Sequence, residues 1–110
     1  MDKKRLQACL EGCQRCAAAC NFCATSCLHE ADPKAMARCI ALDLDCAEAC
    51  EFAASVIARR SEHVDEVCRT CALLCDACGQ ECGRHDHDHC QRCAAACREC
   101  AESCRAMIAA

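Results

Sequence analysis

Cysteine recurs along this chain at the interval of a helical stripe. Sixteen of the 19 cysteines fall in three runs whose members are alternately three and four residues apart. The first run holds Cys9, Cys13, Cys16, Cys20, Cys23 and Cys27, the second Cys68, Cys71, Cys75, Cys78 and Cys82, and the third Cys90, Cys93, Cys97, Cys100 and Cys104. This step places every member on one face of an α-helix, where a bundle normally carries leucine. The spacing predicts helices whose buried stripe consists of thiols.

The rest of the composition agrees with an all-helical chain. The 110 residues include one proline, three glycines, two phenylalanines and no tryptophan or tyrosine, so residues that favour β-sheet are scarce. A free thiol packs as a small hydrophobe, and cysteine can therefore replace the missing large side chains in a core. At this length we expect a single domain over residues 1–110.

Proline, glycine and capping residues divide the chain into segments. Asp32 and Pro33 are typical of a helix start, and Ser61 is a second candidate N-cap. Gly83 suits the C′ position of a helix end. Residues 88–91 resemble a capping box, with Asp first and Gln last.

The four predicted helices cover about residues 2–28, 33–60, 62–83 and 88–108. Because every connection between them is short, neighbouring helices should run antiparallel. We therefore expect an all-α fold, an up-down-up-down four-helix bundle with a cysteine-lined core.

This topology gives the bundle two chemically different ends. One end, called here the plug, collects Leu6, Leu10, Ala53, Val56, Ile57, Val64, Val67, Met107 and Ile108. The other, called here the mouth, collects Cys27, His29, Met36, Cys39, Cys82, His85, His87, His89 and Cys90. The pattern predicts a tube that is closed by apolar side chains at the plug and open at the mouth.

The spacing of the thiols indicates a soft metal ion. Eight CxxxC pairs lie at i, i+4 spacing, including one formed by Cys46 and Cys50 in the second helix. Two metal–thiolate bonds of about 2.3 Å span about 4.6 Å, so such a pair can bracket one ion. Low-coordinate thiolate sites are typical of Cu(I). Cys39 belongs neither to a run nor to a CxxxC pair. We take it, together with the other 18 cysteines, as a candidate ligand for multiple Cu(I) ions.

Other thiol chemistries stay open at this stage. Zinc requires four converging ligands, which facing helices are able to supply, so a zinc or general soft-metal buffer is the main alternative. A thiol redox protein is a weaker one, since no cysteine stands in a distinct environment. Iron–sulfur ligation and a store of disulfides fit helical stripes poorly.

The histidines at the mouth are secondary candidates. His85, His87 and His89 alternate with aspartate between two cysteines, a pattern that favours a role in admitting metal. His29 and Met36 share that end of the bundle.

Asp43 interrupts the stripe of the second helix. An inward carboxylate is costly unless it is paired. The sequence favours an Asp43 turned to the edge of the helix, and the alternative is a bond to the metal core.

Charge and hydropathy exclude several other classes. The net charge is −4, and one basic triplet near the N-terminus gives no support for nucleic-acid binding. No segment is apolar for the length of a membrane span or has the form of a secretory signal. Reduced thiols in odd number are typical of the cytosol. We expect a cytoplasmic protein without a membrane or nucleic-acid partner.

Two segments carry a resemblance to a known family. CGQECGRHDHDHCQRCAAACRECAESC over residues 78–104 and CIALDLDCAEAC over residues 39–50 closely resemble the cytosolic bacterial copper storage proteins. The resemblance covers nearly the whole chain. It implies homotetramers of four-helix bundles that fill with Cu(I) through inward cysteines, metal uptake at the histidine-bearing mouth, and an inward Asp43. Exposed apolar residues, Phe22, Leu44, Leu73 and Leu74, are candidates for the tetramer contacts.

The function expected from the sequence is cytosolic storage and detoxification of Cu(I), without enzymatic activity. One to two thiols per ion predict a capacity on the order of 10–19 Cu(I) ions per chain. The partners that the sequence leaves open are a copper chaperone or a cytosolic chelator.

Overall fold

The structure, a computed structural model, describes residues 2–109 and consists of four long helices. They are α1 (Lys3–Leu28), α2 (Ala37–Ala58), α3 (Val64–Gly83) and α4 (Asp88–Ala109), with a short 3-10 helix over Pro33–Met36. A single domain over residues 1–110 stays a prediction, because Met1 and Ala110 lie outside the described range.

The helices form a rod with a continuous interior. Helix α1 packs against α2 and α4, and α3 packs against the same two helices, so α1 and α3 stand at opposite corners. The rod measures 46 × 17 × 17 Å. The predicted fold class, an all-α antiparallel four-helix bundle with cysteines in its core, is confirmed.

Different devices start the first two helices. The Asp2 carboxylate caps α1 by accepting hydrogen bonds from the backbone N–H groups of Lys4 at 2.8 Å and Arg5 at 3.3 Å. Asp32 occupies the position before Pro33, but its side chain makes no capping bond. The segment 33–36 is a 3-10 turn, so the α-helical part of the second helix starts four residues later than predicted. A 3-10 turn is common at helix N-termini.

The predicted N-cap Ser61 belongs to a turn that precedes α3. Its Oγ accepts the N–H of His63 at 3.0 Å, while α3 itself begins at Val64. Just before it, Arg60 has a φ of 53° and closes α2 with a Schellman pair of bonds, Arg60 N–H to Ile57 and Ser61 N–H to Val56. Arginine therefore stands in the left-handed position where glycine is usual.

The junction of α3 and α4 also differs from the prediction. Gly83 is the last residue of α3 and has a negative φ, so it is not a left-handed C′ residue. Gln91 does not complete a capping box; its amide donates to the carbonyls of Gly83 at 3.1 Å and His85 at 2.7 Å. Asp88 pairs instead with Arg92 at 3.0 Å. Gln91 thus ties the start of α4 to the end of α3.

Apolar side chains close the plug, as predicted. Leu6, Ala53, Val56, Ile57, Val64 and Met107 are buried, and Leu10, Val67 and Ile108 pack against them at the rim. Among the described residues, the plug is the part of the interior that resembles a conventional hydrophobic core. Within the described residues, no helix has the length and apolarity needed to cross a membrane.

The two glycines inside helices differ in the space around them. A Cβ at Gly12 would lie 3.6 Å from Ser103 Oγ, an ordinary contact, whereas one at Gly79 would lie 3.2 Å from Cys97 Cβ. Gly79 therefore permits the close approach of α3 and α4.

We predict that Gly12→Ala raises the free energy of unfolding by up to about 1 kcal/mol, because alanine is the better helix former. Gly79→Ala should gain less, since its methyl group must displace Cys97. Urea denaturation of the reduced, metal-free protein measures both. Equal or greater stabilisation by Gly79→Ala would contradict the close-approach role.

Candidate metal centre

All 19 cysteines face the axis of the bundle. Each is a free thiol, and each is between 0 and 1% exposed. The 3-4-3-4 spacing keeps them on the inner face of α1, α3 and α4, and the shorter set on α2 completes the wall. The interior between plug and mouth is therefore built mainly of sulfur and alanine.

The thiols lie in contact with one another along the whole tube. Across helices, Sγ–Sγ contacts run from 3.4 Å for Cys39 and Cys82 to 4.0 Å for Cys27 and Cys90 at the mouth. Near the plug, Cys9 and Cys104 lie 3.7 Å apart. Within helices, five of the i, i+4 pairs have sulfurs 3.9–4.0 Å apart. This separation is shorter than the roughly 4.6 Å of a linear S–metal–S unit. An ion held by one such pair alone requires its side chains to open slightly.

The thiols also form overlapping groups of four. In each group, the four sulfurs lie within 4.8 Å of one another. Five such groups are Cys13, Cys71, Cys100 and Cys104; Cys16, Cys46, Cys50 and Cys75; Cys16, Cys20, Cys46 and Cys97; Cys20, Cys78, Cys93 and Cys97; and Cys23, Cys27, Cys39 and Cys90. Because Cys16, Cys20, Cys46 and Cys97 each belong to two groups, neighbouring sites share sulfur.

Asp43 lies inside this sulfur core, as the family resemblance implies, and the prediction from charge cost that it turns to the edge of α2 is wrong. Its side chain is fully buried. Oδ1 accepts hydrogen bonds from the thiols of Cys78 at 3.1 Å, Cys82 at 3.2 Å and Cys93 at 3.3 Å. Cys39 lies 3.9 Å from Oδ2. The thiols supply the pairing that an inward carboxylate needs, which the cost argument from sequence left out.

The buried position changes the ionisation of Asp43. Burial in the core raises the pKa of this carboxyl group from 3.8 to about 8, and the neighbouring Cys93 adds to the rise. At neutral pH the metal-free protein therefore keeps Asp43 largely protonated. Burying the protonated carboxyl group of Asp43 costs less free energy than burying an ionised aspartate would.

Burial also favours the protonated form of two thiols at the mouth, Cys27 and Cys90. It raises the pKa of Cys27 to about 11, and it raises the pKa of Cys90 as well. A thiolate is the metal-binding form, so an arriving ion must displace the proton.

His89 is the mouth histidine that contacts thiols. Its Nδ1 lies 3.4 Å from Cys23 Sγ, 3.9 Å from Cys27 Sγ and 3.5 Å from Cys90 Sγ. The side chain is 11% exposed, so it lines the inner edge of the mouth. His87 stacks on it, with ring centroids 5.4 Å apart and planes 4° from parallel, and is more open to solvent.

Two glutamates that the sequence did not single out hold the mouth histidines. Glu30 Oε2 lies 2.7 Å from His89 Nε2 and 3.5 Å from His87 Nδ1. Glu81 Oε2 lies 2.8 Å from His85 Nε2, and its Oε1 pairs with Arg38 at 3.2 Å. An isolated glutamate carries no spacing signal, whether it lies in a helix, as Glu81 does, or just beyond a helix end, as Glu30 does. Only the three-dimensional contacts identify these residues.

The remaining candidates occupy different depths. Met36 is buried beside the core, His85 is partly exposed, and His29 is exposed at the C-cap of α1. His63 lies exposed between Glu62 and Glu66, away from the mouth.

We predict that Asp43→Asn changes how stability depends on pH. Folding raises the pKa of Asp43, so between about pH 4 and about pH 8 this carboxyl group ionises in the unfolded chain but stays protonated in the folded protein, and the free energy of unfolding falls as pH rises. The asparagine variant does not ionise and should therefore gain on the wild type over this range, by up to about 5 kcal/mol.

Urea denaturation of both reduced, metal-free proteins at several pH values measures the difference. Titration of other groups cancels in the comparison, and a fixed cost of burying the amide shifts the whole curve without changing its slope. Parallel pH profiles for the two proteins would contradict the raised pKa.

Comparison with known proteins places this geometry in a family. The family model described as "Csp: Copper storage protein" matches residues 2–109. The chain is 50% identical over 103 residues to the "Uncharacterized cysteine-rich protein YhjQ" of Bacillus subtilis, covering 94% of this chain and 95% of that protein.

Two solved structures are similar along nearly their whole length. The "Cu(I)-bound Copper Storage Protein BsCsp3" has a TM-score of 0.91 and 48% identity, covering 94% of this chain and 98% of that chain. A cytosolic copper storage protein from Streptomyces lividans, with five coppers, has a TM-score of 0.94 and 40% identity, covering 97% and 94%. With its inward thiols and four-helix bundle, the chain belongs to the copper storage protein family.

Proposed function

We propose that this protein stores Cu(I) in the cytosol and thereby limits its toxicity. The 19 core cysteines are the ligands, and the bundle fills with many ions. The observation that carries this proposal is the unbroken contact of buried thiols from plug to mouth, with sulfurs shared between neighbouring groups of four. The function assigned is binding and release of the ion, with no catalytic step.

Charge balance in the core favours Cu(I) over Zn²⁺. A zinc ion with four thiolates carries a charge of −2, and a core that is closed to water tolerates such a charge poorly. One Cu(I) per thiolate is neutral, and sharing sulfurs brings the core close to that ratio. The alternative of a zinc buffer therefore carries a larger burial penalty in this tube.

The mouth supplies the route into the core. His89 faces three thiols, and His87 stacks on it from the solvent side, so these rings lead from the surface to the first group of sulfurs. Met36 and His85 stand at the same end, with His29 outermost. Asp43 contributes a polar oxygen at the next level inward, beside Cys78, Cys82 and Cys93. The Cu(I) donor is a copper chaperone or a cytosolic chelator.

We predict that reduced protein takes up on the order of 10–19 Cu(I) ions per chain, because each ion needs one to two thiolates. Titration with Cu(I) against a competing chelator gives the plateau. A zinc-type core would fill differently: with four thiolates per ion, 19 cysteines form at most four separate sites.

The control is the doubly substituted His85→Ala/His89→Ala protein, which should reach the same plateau because the thiols hold the cargo. Saturation at one or two Cu(I) ions would exclude storage. A Zn²⁺-loaded protein that resists Cu(I) would favour the zinc buffer.

We also propose a homotetramer as the working assembly. Leu73 of α3 is 66% exposed, and Phe22, Leu44 and Phe52 are about half exposed or more, so three helices carry large apolar side chains on their outer faces. Such residues are typical of contacts between subunits.

Leu44→Lys/Leu73→Lys should reduce the molar mass in solution, since two buried charges would oppose association. Sedimentation velocity measures the mass, and Gln80→Lys, an exposed position on the same helix α3, is the matched control. A wild type that sediments as a monomer would rule out the tetramer.

A further inference from the structure

The His89 ring is held on both edges and on one face. Its Nδ1 edge meets the thiols of Cys23, Cys27 and Cys90, its Nε2 edge meets Glu30, and its face stacks on His87. His85, in contrast, is held by Glu81 at its Nε2 edge, and no thiol lies within 4.0 Å of it among the described contacts. His89 is thus the ring whose two nitrogens have different and fixed partners.

The backbone fixes Glu30 at the end of α1. Its N–H donates to the carbonyl of Cys27 at 3.2 Å, continuing the turn in which His29 N–H donates to Ser26 at 3.1 Å. One helix end therefore presents both a thiol to Nδ1 and a carboxylate to Nε2 of the same ring. The side chain of Glu30 is 28% exposed, so its carboxylate stays in contact with solvent.

For a neutral His89 ring, only one position of the ring proton fits the contact with Glu30. Glu30 Oε2 lies 2.7 Å from His89 Nε2, and a glutamate side chain in contact with solvent is ionised at neutral pH. The ionised carboxylate accepts hydrogen bonds and donates none. The proton between Glu30 and His89 must then reside on Nε2, which leaves the lone pair of a neutral ring on Nδ1, facing the thiols.

We propose that Glu30 is a positioning residue: it fixes the Nε2–H tautomer and the orientation of His89, so that Nδ1 is presented to Cu(I) as the ion reaches Cys23, Cys27 and Cys90. The proposal rests on the function proposed above. A carboxylate that orients a ligating histidine in this way typically contributes 10–100-fold to metal affinity or activity. Glu30 acts on the first steps of loading, whereas the thiols set the capacity.

The tautomer is tested in the metal-free protein. Nitrogen-15 NMR of reduced wild type should show a pyridine-type Nδ1 and a protonated Nε2 for His89, with the Nε2–H protected from exchange with solvent. Glu30→Ala should lose this protection. Glu30→Gln should retain part of it, because the amide oxygen still accepts the bond. A protonated Nδ1 in neutral wild-type His89 would overturn the proposal.

The consequence for loading is tested by stopped flow with the Cu(I)–bicinchoninate complex as donor. We expect Glu30→Ala to slow uptake of the first ions at least about tenfold, with an unchanged plateau. Glu30→Gln should be intermediate. The matched control is Glu51→Ala, which removes a carboxylate that pairs with Asn21 on an exposed face of α1 and α2. It should load like the wild type.

A double-mutant comparison identifies the path of the effect. If Glu30 acts through His89, Glu30→Ala has no further effect on the rate in a His89→Ala background. An equal slowing in that background, or a wild-type rate for Glu30→Ala alone, would overturn the proposal. A wild type that fails to load many ions would instead contradict the storage function. The NMR result on the tautomer would be unaffected, because it is measured in the metal-free protein.

Discussion

Burial of neutral thiols is the constraint on which this structure depends. A thiol that is 0–1% exposed serves as a small hydrophobe only while it keeps its proton. The same group becomes a ligand only when it loses that proton. Because each loaded cation replaces protons, loading converts a core of neutral thiols into a core of thiolates neutralised by cations. The bundle therefore remains a closed core in both states, provided that cations and thiolates stay nearly balanced.

Among the described residues, the buried polar side chains, Asp43 and Glu81, lie in the mouth half of the tube, where they disturb this balance least. Asp43 is buried but mostly protonated at neutral pH, and it receives hydrogen bonds from Cys78, Cys82 and Cys93. Glu30 remains ionised but lies at the rim. The interior changes in steps from solvated histidines to a protected carboxyl group and then to sulfur alone.

The regular part of this architecture was predictable from the sequence, and its exceptions were not. The 3-4-3-4 cysteine step predicts helices, their inner face and the plug, because periodicity is a property of the chain itself. Asp43 broke the pattern, and a rule based on the cost of an unpaired charge placed it at the edge; its three thiol donors come from α3 and α4, which sequence alone does not align. The contacts of Glu30, Glu81 and Gln91 were not predicted for the same reason, because their partners lie on other segments of the chain. Gly83 has the residue type of a helix cap but lacks the backbone angle, while Arg60 has the angle without the residue type.

The plug explains how a chain with so few large side chains folds before any metal binds. Leu6, Val56, Ile57, Val64 and Met107 are buried together at one end, and each contributes about 1.5–3 kcal/mol on burial. A thiol has less apolar area than any of them, so the sulfur-lined length adds less stability per residue. Concentrating conventional packing at the plug leaves the rest of the interior free to be selected for its ligands. It also closes that end of the tube, and this leaves the mouth, with Glu30 and His89, as the end through which we propose that the ion enters.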